Sequence, residues 1–194
     1  MAETMKGFME LMHELIEKMG TDADQSLTEC LTARAKIYAA RMRLQHTVDQ
    51  ADGLDAIREI AANLMGCEEL ALYKVDHSNA ALWLYWSFGI DPNKHAVLDA
   101  TQEAALAEAL TGKVMFPKQD KTGSLLSAHS PVTAIVPISV SEVVVAVLVI
   151  FRLLPQKPGL DPADREVCRV LSSCAGRAIG PYMPNADRGE STCT

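Results

Sequence analysis

The stretch from Val143 to Phe151 holds no polar residue and stops at Arg152. It is about half the roughly 20 residues that a membrane-crossing helix requires, so it does not read as a bilayer span. Its valines and isoleucine branch at Cβ, which favours extended backbone. A strand sends alternate side chains to opposite faces, and one that is apolar on both must lie inside a sheet with both surfaces covered. Such a chain has to build layers, with helices or loops above and below a sheet.

The elements that could supply those layers follow from changes in periodicity. Apolar residues at Met5, Phe8, Met12, Leu15 and Met19 alternate steps of three and four, with Met9 and Ile16 widening the stripe, which is the pattern of an amphipathic helix. Gly20 ends it. Thr21, Asp22, Asp24 and Gln25 offer capping oxygens to a second helix reaching about Gln50, with Leu27, Leu31, Tyr38, Met42 and Val48 as a looser stripe. A third helix is expected over Leu54 to Met65, closed by Gly66.

Beyond Gly66 the pattern becomes that of strands. Leu70 to Val75 and Ala80 to Phe88, joined by Asp76-His77-Ser78-Asn79, read as a β-hairpin. Thr101 to Leu110 is alanine-rich and reads as a helix, with Asp99 and Gln102 at capping-box spacing. Val114 to Phe116 could add a short strand. Val132 to Ile138 precedes the apolar run across a turn containing Ser141 and Glu142, and Asp161-Pro162-Ala163-Asp164 opens a last helix that ends at Gly180 and Pro181. Helices grouped around a hairpin-built sheet point to α+β architecture: a central antiparallel sheet flanked by helices, with an amino-terminal helical extension.

The chain has 194 residues and a net charge of −7, so it suits one domain with an appendage and lacks the basic balance of a nucleic-acid-binding surface. Neither a secretory signal nor membrane insertion is expected from its beginning. Cys30, Cys67, Cys168, Cys174 and Cys193 are odd in number and form no C-x-x-C pair, a pattern suited to reduced thiols in a cytoplasm.

The segments Ala134-Ile-Val-Pro-Ile138, Val143 to Phe151 and Leu160-Asp-Pro-Ala-Asp-Arg-Glu-Val167 resemble the end of a GAF domain. There a strand with a penultimate proline joins a longer apolar strand, followed by a capped helix. The resemblance covers Leu54 to Ile179. Ala146 and Glu142 depart from it, standing where the family often has glycine. It implies helices on one face of the sheet and a small-molecule pocket on the other, roofed by the middle helix and loops, together with dimers made through terminal helices. The expected organisation is a helical dimerisation or docking segment at 1–50, a GAF-like domain at 51–182 and a flexible tail at 183–194.

Few groups suggest catalysis. Asn93-Lys94 and Phe116 with Asp120 imitate pieces of the cyclic-nucleotide motif of that family, but the spacing is too long and Lys121 replaces the final acid. No cysteine lies between Phe88 and Val132, where the family's methionine-sulfoxide reductases and bilin carriers would use one. Isolated histidines give no metal-ligand pair, and Glu68-Glu69 reads as charge at a sheet edge. No cofactor, metal or catalytic residue is therefore expected.

The leading expectation is a non-enzymatic cytoplasmic signalling module that homodimerises through its terminal helices and docks partner proteins. Its interface would use Met5, Phe8, Met9, Met12, Leu15, Ile16 and Met19, because an amphipathic helix must bury its stripe against its own domain, a twin or another protein. Arg34 and Arg41, part of the cationic run with Lys36 and Arg43, would meet an acidic partner. The alternative is a small-molecule sensor whose pocket lies between the sheet and residues 89–130, lined by Trp83, Tyr85, His95, Lys113 and His129. A third possibility is redox chemistry at Cys67 with Cys168 or Cys174.

Overall fold

A computed structural model describes residues 26–117 and 132–180. The chain divides into two compact units, Met1–Ala35 and Lys36–Thr194. In the first, residues 26–35 are helical. The stripe from Met5 to Met19 lies outside the described residues, as does the 183–194 tail.

The second unit opens with helix α1 over 36–45. It buries Ala40 and Leu44 in the core beside α2 (Gln50–Glu59) and α4 (Pro162–Ile179). Two of its cations face inward: Arg43 binds Asp52 at 2.7 Å and Glu59 at 2.6 Å, while Lys36 binds Asp161 at 3.3 Å and Asp164 at 3.2 Å. These ion pairs lie within the second compact unit, which starts at Lys36. Asp49 caps α2 through the Asp52 amide at 2.9 Å. A π turn at Ile60–Leu64 continues α2, and Gly66, at φ +67°, turns the chain into the sheet.

The sheet is antiparallel, in the order β3-β2-β1-β5-β4. Its strands are β1 (Cys67–Asp76), β2 (Ala81–Phe88), β3 (Val97–Asp99), β4 (Ala134–Val140) and β5 (Val143–Leu153). The long apolar run is thus an inner strand between β1 and β4, as its two-sided hydrophobicity requires. Its Ala146, Leu148 and Ile150 pack with Leu70, Leu72 and Val136 beneath α1, α2 and α4. Val147, Val149 and Phe151 point the other way, with Ala71, Tyr73 and Ile135, toward α3 (Ala104–Ala109). Met115 forms a single bridge to Ile135, which is what remains of the expected short strand.

Local departures have local causes. Ser141 and Glu142 both adopt positive φ, 50° and 69°, between the partners Val140 and Val143, making a two-residue turn that matches strand twist without glycine. Asp99 caps the turn before α3 rather than the helix, accepting from the Thr101 amide at 2.8 Å and hydroxyl at 2.6 Å. Helix α3 therefore begins at Ala104, later than the spacing predicts. Glu68 and Glu69 lie within central strand β1 and pair with Arg152 at 3.0 and 2.7 Å, so they are cross-strand partners and not charge at a sheet edge.

The start of α4 carries the densest polar network. Asp161 accepts from the Asp164 amide at 2.7 Å, and Asp164 returns the bond to the Asp161 amide at 3.0 Å, a reciprocal capping box. The Asp164 side chain is fully buried and also holds Lys157 at 2.5 Å, whose ammonium donates to the Met65 carbonyl at 2.6 Å. Further along, α4 lies so close to β4 that a Cβ on Gly176 would stand 2.1 Å from the Ser139 carbonyl oxygen. Gly176→Ala is expected to destabilise the protein by about 2–3 kcal/mol, since neither backbone can yield freely. Gly159→Ala, where nothing stands within 4 Å, should cost far less. Urea unfolding of the two variants measures the difference.

Candidate functional site

The two faces of the sheet offer different chemistry. On the helical face, Cys67 and Cys168 are buried in the core, and the Cys168 thiol lies 3.9 Å from the Met65 sulfur. Burial pushes both thiols up to about 12, so neither supplies thiolate at neutral pH. Cys174 is half-buried against the same core. The buried thiols of the redox pair considered from sequence, Cys67 and Cys168, lack the exposure that a reactive thiol needs.

The opposite face, covered by α3, is mostly small and aliphatic: Ala71, Val75, Leu82, Ala100, Leu106 and Ala109. Tyr73 stands among them, fully buried, and its hydroxyl has no hydrogen-bond partner among the described residues. Burial drives its phenol well above the usual value, keeping it a neutral O–H donor. A buried hydroxyl left unpaired costs about 1–3 kcal/mol, which makes the Tyr73 phenol the candidate donor on this face. His95 approaches the same face. It follows a 3₁₀ turn, Pro92–Lys94, capped by Asp91, and its ring stacks on Phe151 at 4.9 Å between centroids, tilted by 53°. Glu103, the residue before α3, is buried as well.

Of the residues proposed from sequence as a pocket wall, only His95 reaches this face among the described residues. Trp83 and Tyr85 do not. Tyr73 pairs with Leu84 and Val75 with Leu82, which puts the leucines on the α3 side. Trp83 pairs with Lys74 and Trp86 with Leu72, on the helical side. Tyr85 is the extra residue where the register shifts between Leu72 and Tyr73, and its hydroxyl accepts from Gln50 of α2. Trp83 and Tyr85 are 50% and 39% exposed. Lys113 is an exposed cation paired with Glu108, and His129 lies outside the described residues.

The interface residues divide similarly. Met5, Phe8, Met9, Met12, Leu15, Ile16 and Met19 fall outside the described residues. Arg34 and Arg41 are exposed, whereas Lys36 and Arg43 are spent on ion pairs within the second unit, so the four cations do not form one outward patch. Tyr73 stands out in the sequence only as the single aromatic residue of the Leu70 to Val75 stretch, whereas the aromatic residues of β2 are more numerous.

No family model matches the sequence, and no curated relative does. Solved structures do match the fold. The GAF domain of an Acinetobacter phosphoenolpyruvate-protein phosphotransferase aligns with a TM-score of 0.59 at 17% identity, covering 77% of this chain and 94% of that one. The GAF domain/HD domain protein of Geobacter sulfurreducens aligns at 0.55 and 16%, covering 72% and 97%. The free methionine-R-sulfoxide reductase of Neisseria meningitidis, solved with its substrate, aligns at 0.56 and 15%, covering 77% and 91%. The protein therefore has the α+β fold of GAF domains, and these identities establish the fold alone.

Tyr73→Phe keeps the ring and removes the orphaned hydroxyl. It is expected to leave the fold intact and to raise stability by about 1 kcal/mol in urea unfolding of the ligand-free protein.

Proposed function

We propose that this chain is a non-enzymatic signalling module that pairs with a second copy through its amino-terminal helices and docks partner proteins. The observation that carries this reading is the exposure, among the described residues, of two large apolar side chains on the helical segment of the first unit, Leu27 at 59% and Leu31 at 57%. Large apolar side chains spaced by four residues along a helix favour burial against another helix. The shut thiols Cys67 and Cys168 support the absence of redox catalysis, and the exposed free thiol of Cys30 suits a reducing cytoplasm. Arg34, exposed in the first unit, and Arg41, exposed in the second, each offer a cation to acidic partners. Among the described residues, no helix is long and apolar enough to cross a membrane.

Light scattering of the intact chain is expected to give twice the 21.1 kDa protomer mass, and a chain beginning at Lys36 should give a single protomer. A monomeric intact chain rejects the pairing.

A second reading, as a small-molecule sensor, is favoured by the unpaired Tyr73 hydroxyl and the adjacent His95–Phe151 stack on the α3 face. An apolar lining with one or two convergent polar groups is the usual make-up of such a site. The ligand would be compact and largely apolar, with an acceptor for the phenol. Native mass spectrometry of freshly purified protein should show an adduct that Tyr73→Phe loses. A bare mass, with no thermal stabilisation by a metabolite panel, counts against the sensor.

A further inference from the structure

The end of the sheet formed by β1, β2 and β3 carries side chains that the helical core does not take up. Residues directly opposite on paired strands share a face, and a step of two along a strand returns to it. Asp76 pairs with Ala81 and Ala81 with Asp99, one row across three strands. Lys74 pairs with Trp83 and Trp83 with Val97, the next row on the same face. Val75, Leu82 and Leu98, which alternate with them, belong to the α3 side. Among the described residues, the β2 side chains packed on the helical core are Trp86 and Phe88, and Gln50 of α2 reaches no further than the Tyr85 hydroxyl. Trp83 and Val97 are left 50% and 46% exposed, and β3 is an edge of the sheet. The same face is charged. Asp76 accepts from the Ser78 hydroxyl at 2.6 Å and amide at 3.0 Å, and Asp99 from the Thr101 hydroxyl at 2.6 Å and from Gln102 at 2.7 Å. These neutral donors, with weaker help to Asp76 from the Trp83 indole, hold both carboxyls below their usual range and leave both charges in place. Among the described residues neither forms an ion pair, and Lys94 is held by Asp91 at 3.9 Å. Lys74, the cation of the second row, stands two strands from Asp99, so the two rows keep a net negative charge.

We propose that this face docks an arginine side chain carried by a basic segment of a partner protein. Strand spacing puts Asp76 and Asp99 roughly 10 Å apart with only the Ala81 methyl between them, and Trp83 roughly 7 Å further along β2. A guanidinium over Ala81 stands about one strand spacing from each carboxylate and meets the indole with its plane. Arginine suits the place better than lysine, because its planar, weakly hydrated cation stacks on an aromatic ring while its edge donates to carboxylates. Apolar atoms of the same segment cover Val97. The proposal rests on the docking part of the function proposed above and not on the pairing of copies, and it gives that docking a second surface, in the second unit.

The test uses the full chain, labelled with nitrogen-15, and three blocked peptides that alternate glycine with arginine, lysine or glutamate. The two tryptophans give two indole signals in magnetic resonance spectra, and Trp83→Val identifies that of Trp83. The arginine peptide is expected to move the Trp83 signal saturably and to bind more tightly than the lysine peptide. The glutamate peptide should move nothing. Asp76→Asn with Asp99→Asn keeps both turns, because asparagine accepts the same hydrogen bonds, and should weaken binding at least about fivefold. Glu108→Gln with Glu166→Gln removes as much charge from α3 and α4 and should change it by less than about twofold. Trp83→Val, read by calorimetry, should weaken binding too, and the carboxylate variant reads the same face should that one fail to fold. Equal affinity for the arginine and lysine peptides, or equal losses in the two double variants, would show general attraction to an acidic chain and overturn the proposal. So would a Trp83 signal that no peptide moves, or one that shifts with protein concentration alone, which would put a second copy on this face. A dimeric chain that ignores the arginine peptide sinks this proposal alone, and a monomeric chain that binds it sinks only the pairing.

Discussion

Two-sided burial of β5 organises the second unit. A strand that is apolar above and below cannot sit at the surface, so β1 and β4 must flank it and a layer must close each face. On one side Leu148 and Ile150 fix where α1, α2 and α4 pack, and on the other Val149 and Phe151 fix where α3 and the segment bearing His95 lie. The covered faces are built from the same run of residues, and burying them supplies much of the hydrophobic drive to fold.

The two faces have been finished differently. On the helical face, contacts are tight and polar groups are satisfied. Gly176 lets α4 come against Ser139, and the fully buried Asp164 is held by its capping partner and by the ammonium groups of Lys36 and Lys157. Such a network ties α1, the π-turn end of α2 and α4 to one another, because the one buried carboxylate, Asp164, takes its compensation from partners on several elements. The α3 face has small side chains and an uncommitted phenol.

The cationic run shows how context divides like residues. Arg34, Lys36, Arg41 and Arg43 are close in sequence, yet within α1 Lys36 and Arg43 reach carboxylates of α2 and α4 while Arg41 stays in solvent, and Arg34 of the first unit is exposed as well. A count of charges could not separate them. The partners Asp52, Glu59 and Asp164 stand nine to 128 residues away and meet the helix only when the chain is folded.

The sequence by itself determined the inner strand, the hairpin before it, the capped start of α4 and the α+β class, because these depend on local periodicity, on branching at Cβ and on capping oxygens within a few residues of the amides they serve. Only the tertiary structure decided which aromatic residues look into the α3 face. A register shift beside Tyr73 sets the direction of Trp83 and Tyr85, and β-strand alternation reverses with a slip of one residue, so no pattern within β2 could tell its two sides apart. The orphaned hydroxyl of Tyr73 was likewise invisible in the sequence, since whether a phenol finds a partner depends on strands and helices brought together from the whole domain.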